Sequence, residues 1–297
     1  MKIVDLGIGW EWEHDTDFVH KLDLSCQESG LSSYLVHPHN ISETWEKIQN
    51  GSLAFRAFID RASDNVEAVA VLVRHLKATG AWLINDPDLL PRANDKATLH
   101  LELLARGVNV PYTIIMGPRE GNFLEDVPQL QHIGVPFIIK PANGGGGRGV
   151  ILGAHDKVDV VKARKALWED KMLLQEEIQP AQLPAGMAWF RTYMVGLRTH
   201  LCWWDKETHV YRQVMPQEEA NYGFEKLREI TIKIGDICGL TLFSAEIALS
   251  RDGRFVAVDY VNDQPDLRPQ SKAFDGIPDQ VLSDIITNIV HWVKKRA

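Results

Sequence analysis

The chain has 297 residues, of which 45% are hydrophobic and 24% charged, and its formal net charge is −8. This composition indicates a soluble globular protein, and the length suits two domains or one domain with a lid. The negative charge argues against non-specific binding to nucleic acid or membrane surfaces. No segment approaches the roughly 18 apolar residues of a membrane helix, and the N-terminus lacks a signal-peptide core. The three cysteines fit no metal spacing, which favours reduced thiols in a cytoplasmic protein.

The first ninety residues alternate short apolar runs with helical patterns. Strands are predicted at residues 3–6, 33–36, 53–59 and 81–84, with helices at 16–30, 42–49 and about 64–79. This alternation predicts a parallel α/β sheet with covered faces. Ligands bind at the carboxyl ends of such strands, which makes Gly7 to Gly9, His37, Asp60 and Arg61 candidates for ligand contacts. Asp60 and Arg61 can equally pair with each other on the surface.

The next segment is predicted to be a proline-containing linker at 85–92 and a helix at 95–106, which Asn94 can cap and Gly107 can end. Lys96 lies in the first turn of this helix, where a cation opposes the helix dipole. A lysine so placed either reaches for an anion or is solvated, and both interpretations stay open.

A glycine-rich segment is the most informative feature of the chain. An apolar run ends at Lys140, four glycines follow at 144–147, and Gly149 precedes a second apolar run. This pattern predicts a β-hairpin. Four glycines cost more chain entropy than a turn requires, so the loop backbone is expected to approach an anion, with Lys140 supplying charge for phosphate. The alternative is a flexible turn beside a solvated lysine. The loop lacks the Gly-Lys-Ser/Thr ending of a P-loop and is expected to cover phosphates as a flap.

A helix at 156–170 and a strand at 172–179 are predicted beyond the loop. Pro180 and Pro184 interrupt the chain afterwards. We therefore expect residues 176–178 to form a hinge between two bodies, with backbone groups suited to hydrogen-bonding a flat base.

The C-terminal third is predicted to contain a strand pair at 190–204, a helix at 224–238 and two strands at 240–250 and 255–261. Asp252-Gly253 between the last two strands is the strongest short hairpin signal. A two-residue turn there places Glu246 directly opposite Asp259. It also places Ala257 on the same face as these acids, and Val256, Val258 and Tyr260 on the opposite, core face.

Carboxylates that face each other repel, by up to roughly 1 kcal/mol on a solvated sheet. A divalent cation between Glu246 and Asp259 removes this conflict, since paired carboxylates with water and phosphate oxygens commonly hold Mg²⁺. Asn262 can add an oxygen, or form an Asx turn before Pro265. The alternative is a longer turn that slips the register and leaves the two acids separately in solvent.

Taken in order, these features resemble the ATP-grasp superfamily, particularly its glutathione synthetase and ribosomal-protein glutamate ligase branch. The resemblance runs from about Asn85 to the end of the chain. It rests on Asn94-Asp95-Lys96, Lys140-Pro141 with the loop at 144–149, Leu174-Gln175-Glu176-Glu177-Ile178, Arg191 with Val195-Gly196, and Glu246, Asp259 and Asn262-x-x-Pro265. It implies an α/β (α+β grasp) fold with a pre-grasp domain at 1–90, a lid subdomain at 91–178 and a C-terminal subdomain with a metal site at 179–297.

The resemblance also implies roles for individual residues. Catalysis is assigned to Arg191 and Lys140, with Arg191 approaching the γ-phosphate and the acyl phosphate. The other implied contacts are Lys96, Lys140, Gly144, Gly145, Gly146 and Gly149 with the ATP phosphates, Gln175, Glu176, Glu177 and Ile178 with adenine and ribose, and Glu246, Asp259 and Asn262 with Mg²⁺ or Mn²⁺.

Two departures from the family pattern matter. The family places the acid and the asparagine two residues apart, whereas Asp259 and Asn262 are three apart. Either a bulge after Asp259 restores their facing, or Asn262 has left the strand and reaches back. The usual Pro-Gly ending is Pro265-Asp266 here, which affects the substrate side and a second metal.

The implied reaction is an ATP-dependent carboxylate–amine ligation through an acyl phosphate, which releases ADP and phosphate. The expected substrates are a small-molecule or peptide carboxylate and an amine acceptor, with no nucleic-acid or membrane partner, and relatives suggest a homodimer. One alternative is a phosphotransferase acting on a small-molecule hydroxyl. Another is a nucleotide-binding regulatory protein without turnover, which the shifted Asn262 favours. The sequence does not identify the acid or the amine.

Overall fold

The computed structural model describes residues 1–118 and 130–296. In chain order its elements are β1 (Lys2–Trp10), a 3₁₀ turn (Glu13–Asp15), α1 (Thr16–Glu28), β2 (Ser33–Val36), α2 (Ile41–Gln49), β3 (Leu53–Arg61), α3 (Glu67–Ala78), β4 (Trp82–Ile84), α4 (Leu90–Asn94), α5 (Lys96–Ala105), β5 (Thr113–Met116), β6 (Phe137–Pro141), β7 (Ile151–Ala154), α6 (Lys157–Ala166), β8 (Met172–Glu176), β9 (Gln182–Leu183), β10 (Gly186–Met187), β11 (Trp189–Val195), β12 (Arg198–Trp204), β13 (Tyr211–Gln213), α7 (Pro216–Tyr222), α8 (Glu225–Cys238), β14 (Leu242–Leu249), β15 (Phe255–Asn262) and α9 (Asp279–Lys294).

The N-terminal sheet is parallel, with the strand order β2-β1-β3-β4, as the alternating pattern predicted. One face is covered by α1 and α9, through residues such as Phe18 and Ile285. The other face is covered by α2 and α3, through residues such as Ile41 and Leu72. Because α9 comes from the C-terminus, the two ends of the chain share one apolar core.

Two larger antiparallel sheets follow, and β9 and β10 form a separate two-stranded antiparallel sheet. The lid sheet has the order β5-β8-β6-β7, and the glycine-rich segment joins β6 to β7 as the predicted hairpin. The C-terminal sheet has the order β13-β12-β11-β14-β15, and α8 covers one of its faces. Its other face packs against the N-terminal unit through residues such as Tyr193 and Cys202, and Lys140 of β6 in the lid reaches the backbone of β15.

The three sheets lie within the predicted ranges 1–90, 91–178 and 179–297, and the positions of those boundaries stay a prediction. Residues 119–129 of the lid range lie outside the described residues. Among the helices of the described segments, none has the length and hydropathy that a bilayer crossing requires.

The segment before the lid differs from its prediction in two details. The predicted linker contains the short helix α4. The cap of α5 is Asp95 and not Asn94, because the Asp95 carboxylate accepts the backbone N–H groups of Ala97 and Thr98 at 3.1 and 3.0 Å. Lys96 is therefore the first helical residue.

The glycines at the end of β1 serve packing. The strand does not stop at Leu6 but continues through Gly7 and Gly9 to Trp10. A Cβ on Gly7 would lie 2.4 Å from Phe58 Cδ2, and one on Gly9 would lie 2.8 Å from Phe58 Cζ. The Phe58 ring thus accounts for glycine at both positions without a ligand.

Asp60 and Arg61 do not pair with each other. Arg61 donates from Nε and Nη2 to the Asp15 carboxylate at 2.7 and 2.8 Å, and both side chains are at most 3% exposed. Nη2 also donates to the carbonyl of Pro265 at 3.0 Å. Arg61 is therefore a buried link between the N-terminal sheet and the loop that follows β15.

Candidate active site

Glu246 and Asp259 face each other across β14 and β15, as predicted. The turn that leads to this pairing differs from the prediction. The N–H of Ser250 donates to the Arg254 carbonyl at 2.8 Å, so the loop has three residues, 251–253, and not two. A bulge at Val258 then shifts the register by one residue and brings Asp259 opposite Glu246.

The longer turn also corrects the predicted faces of β15. Val256 and Val258 pack with Ala248 on the face that carries the acids. Ala257 packs with Ile247 on the face that α8 covers. The predicted faces were wrong for these three residues of β15, because a register counted from a two-residue turn is off by one near the turn.

Asp259 and Asn262 lie on the same face of β15 because of a second bulge. Glu246 pairs with Asp259 and Ser244 pairs with Asn262, so two residue steps on β14 match three on β15. Alternate residues of a strand share a face, and the bulge accommodates the extra residue. Of the two solutions that the sequence left open, the strand adopts the bulge.

Arg191 extends this row of charges to a third strand, because it pairs in register with Glu246. Its Nη2 forms an ion pair with Glu246, and its Nη1 donates to Ser244 Oγ at 3.4 Å. The guanidinium carbon lies 4.8 Å from the centre of the Trp204 ring. Trp189 Nε1 donates to the other Glu246 oxygen at 3.2 Å. Both charged groups are therefore held in fixed positions.

Burial and charge act against each other in this row. Burial raises the pKa of Glu246, the Arg191 cation opposes that rise, and the nearby Asp259 carboxylate adds to it, so the net shift is upward. Burial alone would lower the pKa of Arg191, but the Glu246 carboxylate outweighs it and the pKa is raised. Arg191 stays charged, and the repulsion between the two acids is the conflict that a divalent cation would relieve.

Lys140 approaches the row from the lid sheet. Its Nζ donates to the Val258 carbonyl at 3.2 Å. Burial lowers the pKa of Lys140, and the negative charges of Asp259 and Glu246 oppose this decrease. Within residues 1–118 and 130–296 it forms no ion pair, which leaves its charge available to a phosphate.

The loop at 144–149 needs glycine for its backbone conformation. The φ angles of Gly144, Gly146, Gly147 and Gly149 are 107°, 62°, 71° and 75°. Added Cβ atoms at 144–147 would meet nothing within 4 Å, so space is not the reason. In the described part of the chain, the N–H groups of these four residues make no hydrogen bond and can point at an anion. Lys96 Nζ already reaches the loop and donates to the Gly144 carbonyl at 2.6 Å.

The segment at 176–178, which the sequence predicted to be a hinge, lies beside a buried apolar cluster and has backbone groups that make no hydrogen bond with the described residues. Ile178 packs against the cluster formed by Trp189, Ala248, Val256 and Val258. The Glu176 carboxylate accepts the N–H of Tyr112 at 2.8 Å, and that of Glu177 lies 3.8 Å from Lys206 Nζ. Among the described residues, no backbone hydrogen bond uses the peptide groups of Glu177 and Ile178. Free backbone groups beside apolar side chains are suited to binding a flat heterocycle.

Gln175 belongs to a buried polar network that sequence reasoning missed. Its Nε2 lies 3.2 Å from both Thr113 Oγ1 and the Tyr260 hydroxyl, which in turn lies 2.6 Å from His100 Nδ1. His100 and Tyr260 lie on the core faces of their helix and strand. Polar residues at core positions were therefore the sequence feature that could have indicated this network. Trp189 and Trp204 were also missed, although strand pairing places them beside Arg191 and Glu246.

Asp266 stands where the family has glycine after the proline. Its carboxylate accepts Arg268 Nη2 at 2.6 Å, and the same nitrogen donates to Asp275 at 3.0 Å. Arg268 is therefore shared by two acids, Asp266 and Asp275.

The side chains present fit a divalent cation. Glu246, Asp259 and Asn262 carry carboxylate and amide oxygens on one face of the sheet, and no donor among the described residues hydrogen-bonds to the Asp259 carboxylate. Asn262 Oδ1 accepts the N–H of Gln264 at 3.2 Å, so the Asx turn before Pro265 is formed, and a metal ion would have to use the remaining lone pair of this oxygen. Among the described residues, no group of three or more His, Cys, Asp or Glu side chains is arranged to hold a metal by itself. Phosphate or water oxygens would therefore complete the coordination, which is how Mg²⁺ is commonly held.

Known proteins share this architecture. The D-alanine–D-alanine ligase of Bacillus anthracis complexed with ATP has a TM-score of 0.66 and 14% identity, covering 98% of both chains. The RimK domain ATP-grasp protein of Sphaerobacter thermophilus has a TM-score of 0.62 and 18% identity, covering 97% of this chain and 99% of that one. A probable alpha-L-glutamate ligase of Xylella fastidiosa is 25% identical over 252 residues, which span 81% of this chain and 77% of the relative. No family model matches the chain. The chain therefore has the fold of the ATP-grasp ligases, and its sequence is similar to proteins named as probable alpha-L-glutamate ligases.

Proposed function

We infer that the chain is an ATP-dependent carboxylate–amine ligase. The observation that carries this proposal is the row of Arg191, Glu246 and Asp259 across three strands, with Lys140 of the lid directed at it. Two facing acids and two buried cations form a site for a metal–phosphate complex. Relatives named as glutamate ligase and D-alanine–D-alanine ligase support the reaction class.

ATP is proposed to lie between the lid sheet and the C-terminal sheet. The base would rest on the apolar cluster at Ile178 and hydrogen-bond the free backbone groups of the hinge. The phosphates would lie below the N–H groups of the glycine loop. Lys96 hydrogen-bonds the Gly144 carbonyl of the loop, Lys140 hydrogen-bonds the Val258 carbonyl of β15, and both cations would balance the phosphate charge.

Glu246, Asp259 and Asn262 would hold Mg²⁺ against the phosphates. The bound ion would supply charge neutralisation at the phosphoryl oxygens. Arg191, fixed by Glu246, Ser244 and Trp204, is proposed to stabilise the negative charge that develops on the transferred group. The closed glycine loop would exclude water, which would otherwise hydrolyse an acyl phosphate.

The reaction has two steps. A carboxylate oxygen forms a bond to the γ-phosphorus, and the bond from that phosphorus to the bridging oxygen of ADP breaks. The amine nitrogen then attacks the acyl carbon, phosphate leaves with the C–O electron pair, and the amine loses a proton. The chain contributes positioning and charge stabilisation to both steps.

Phosphate release from ATP, measured with pools of amino acids and small carboxylates, tests the proposal. We expect the pools to stimulate release by wild type and Glu246→Gln to abolish it. Glu43→Gln is the matched control, because Glu43 is an exposed acid on α2 that pairs with Lys47. Equal release by wild type and Glu246→Gln would contradict the proposed site, and phosphorylated product that persists without an amine would indicate a phosphotransferase.

The second bulge of β15, between Asp259 and Asn262, weakens the alternative of a nucleotide-binding protein without turnover, since the unusual spacing of these two residues was its one support.

We further propose a cytoplasmic homodimer without nucleic-acid or membrane partners, in which Mn²⁺ can replace Mg²⁺. All three cysteines are buried and free, which fits a reducing compartment. Light scattering and metal titrations of phosphate release test the dimer and the metal.

A further inference from the structure

Tyr260, the residue directly after Asp259, connects three parts of the structure through one hydroxyl. Its side chain is buried, with 2% of the residue exposed. The hydroxyl oxygen lies 2.6 Å from His100 Nδ1 of α5 and 3.2 Å from Gln175 Nε2 of β8. Gln175 also donates to Thr113 Oγ1 of β5 at 3.2 Å. Helix α5, the metal-bearing strand and the lid sheet thus meet at this group.

The hydrogen bonds at this hydroxyl are mutually consistent. Burial lowers the pKa of His100, which favours the neutral imidazole. In the tautomer that carries the hydrogen on Nε2, Nδ1 accepts a hydrogen bond. Gln175 Nε2 donates to the Tyr260 oxygen, and with this His100 tautomer the hydroxyl donates its own hydrogen to Nδ1. A buried hydroxyl used in both directions fixes the position of its ring.

The position of Tyr260 coincides with the second bulge of β15. Two residues, Tyr260 and Val261, oppose one residue of β14 between the pairs at Glu246 and Ser244. A slip of one residue would restore regular pairing but would turn Asn262 to the opposite face. Such a slip would also pull the Tyr260 hydroxyl away from His100 and Gln175 and leave buried polar groups unpaired.

We propose that Tyr260 is a positioning residue for Asp259 and Asn262. Its hydroxyl, anchored by His100 and Gln175, holds the bulge that presents both oxygen-bearing side chains to a divalent cation. This inference rests on the proposed function, because it takes these two residues as ligands of the metal that accompanies ATP. It also explains how Asp259 and Asn262 can face the same metal although they are three residues apart, whereas the family pattern places the acid and the asparagine two residues apart.

The test is binding of a non-hydrolysable ATP analogue to full-length protein by calorimetry, with Mg²⁺ titrated and with EDTA. Tyr260→Phe removes only the hydroxyl. We expect the apparent Mg²⁺ affinity to fall about tenfold or more, the size typical when a partner behind a metal ligand is lost. Binding in EDTA should stay within about twofold, because the hinge and the glycine loop are not changed.

Two further variants complete the design. Tyr34→Phe is the matched control, since it removes a hydroxyl 3.4 Å from Thr44 Oγ1 in the N-terminal unit and should change neither measurement. His100→Leu removes the acceptor of the Tyr260 hydroxyl and should reproduce the Mg²⁺-specific loss. It keeps the inference testable if Tyr260→Phe does not fold.

The outcomes separate the inference from the proposed function. An unchanged Mg²⁺ affinity in Tyr260→Phe would overturn the inference and leave the ligase proposal standing. Equal weakening with Mg²⁺ and with EDTA would also overturn it, because that result assigns Tyr260 to general stability. If wild type binds the analogue without any dependence on Mg²⁺, the proposed metal site fails and the inference fails with it.

Discussion

The buried ion pair between Arg61 and Asp15 allows a quantitative prediction. Arg61→Met would leave the Asp15 carboxylate, 2% exposed, without a partner and would remove the donor to the Pro265 carbonyl. Breaking a buried pair in this way costs about 3–5 kcal/mol. Each kcal/mol corresponds to about 2–4 °C in Tm for a large domain, so we expect Tm to fall by about 6–20 °C. Nη1 of Arg61 is buried without a partner among the described residues, which favours the lower half of that range.

Differential scanning calorimetry of wild type, Arg61→Met, Arg56→Met and the double variant Asp15→Leu with Arg61→Met would test this prediction. Arg56→Met is the matched control, since Arg56 lies on the same strand and pairs with Asp5 at 2.7 Å, but is 49% exposed. An exposed pair contributes at most about 1 kcal/mol. The double variant Asp15→Leu with Arg61→Met should recover most of the loss, because apolar replacement of a buried pair is often neutral. The reasoning is refuted if Arg61→Met lowers Tm no more than Arg56→Met does.

Three further predictions concern the glycines and one histidine. Gly147 has a φ of 71°, so Gly147→Ala should strain the loop by about 1 kcal/mol and raise KM for ATP severalfold in initial-rate assays. Gly145 lies outside the left-handed region, and Gly145→Ala should leave KM unchanged. Equal KM values for the two variants would show that the loop conformation is unimportant. Gly9→Ala would place Cβ 2.8 Å from Phe58 and should lower the free energy of unfolding in urea by about 1–3 kcal/mol. A Cβ at Gly117 meets nothing within 4 Å, so Gly117→Ala should not change this free energy. An unchanged free energy for Gly9→Ala would reject the packing explanation. Burial lowers the pKa of His200 to about 4 from 6.5, so its stabilising effect is complete above pH 6.5 and is lost as pH falls toward 4. His200→Gln should therefore flatten the urea midpoint between pH 6.5 and 4, and an unaltered pH profile would show that His200 does not titrate as stated.

Much of the fold follows from local patterns. The alternation of apolar runs and helical segments over the first ninety residues predicted the parallel sheet, because strand and helix periodicities depend on the sequence nearby. The hairpin around Lys140 was predicted for the same reason, since glycines between two apolar runs identify the loop without reference to other segments. The order of the motifs then indicated the superfamily.

The structure changed the interpretation wherever distant segments meet. The partner of Arg61 is 46 residues away in the sequence, and the partners of Tyr260 are 85 and 160 residues away, so no local pattern could identify them. Gly7 and Gly9 similarly depend on the ring of Phe58 in the neighbouring strand.

The hairpin of β14 and β15 shows the division most clearly. The sequence by itself determined that a turn lies near Gly253 and that Glu246 and Asp259 belong to adjoining strands. Only the tertiary structure decided the three-residue turn and the two bulges that bring Asp259 and Asn262 onto one face. The physical reason is that register depends on side chains packed on both faces of a sheet, including a tyrosine hydroxyl held by a helix and by the lid.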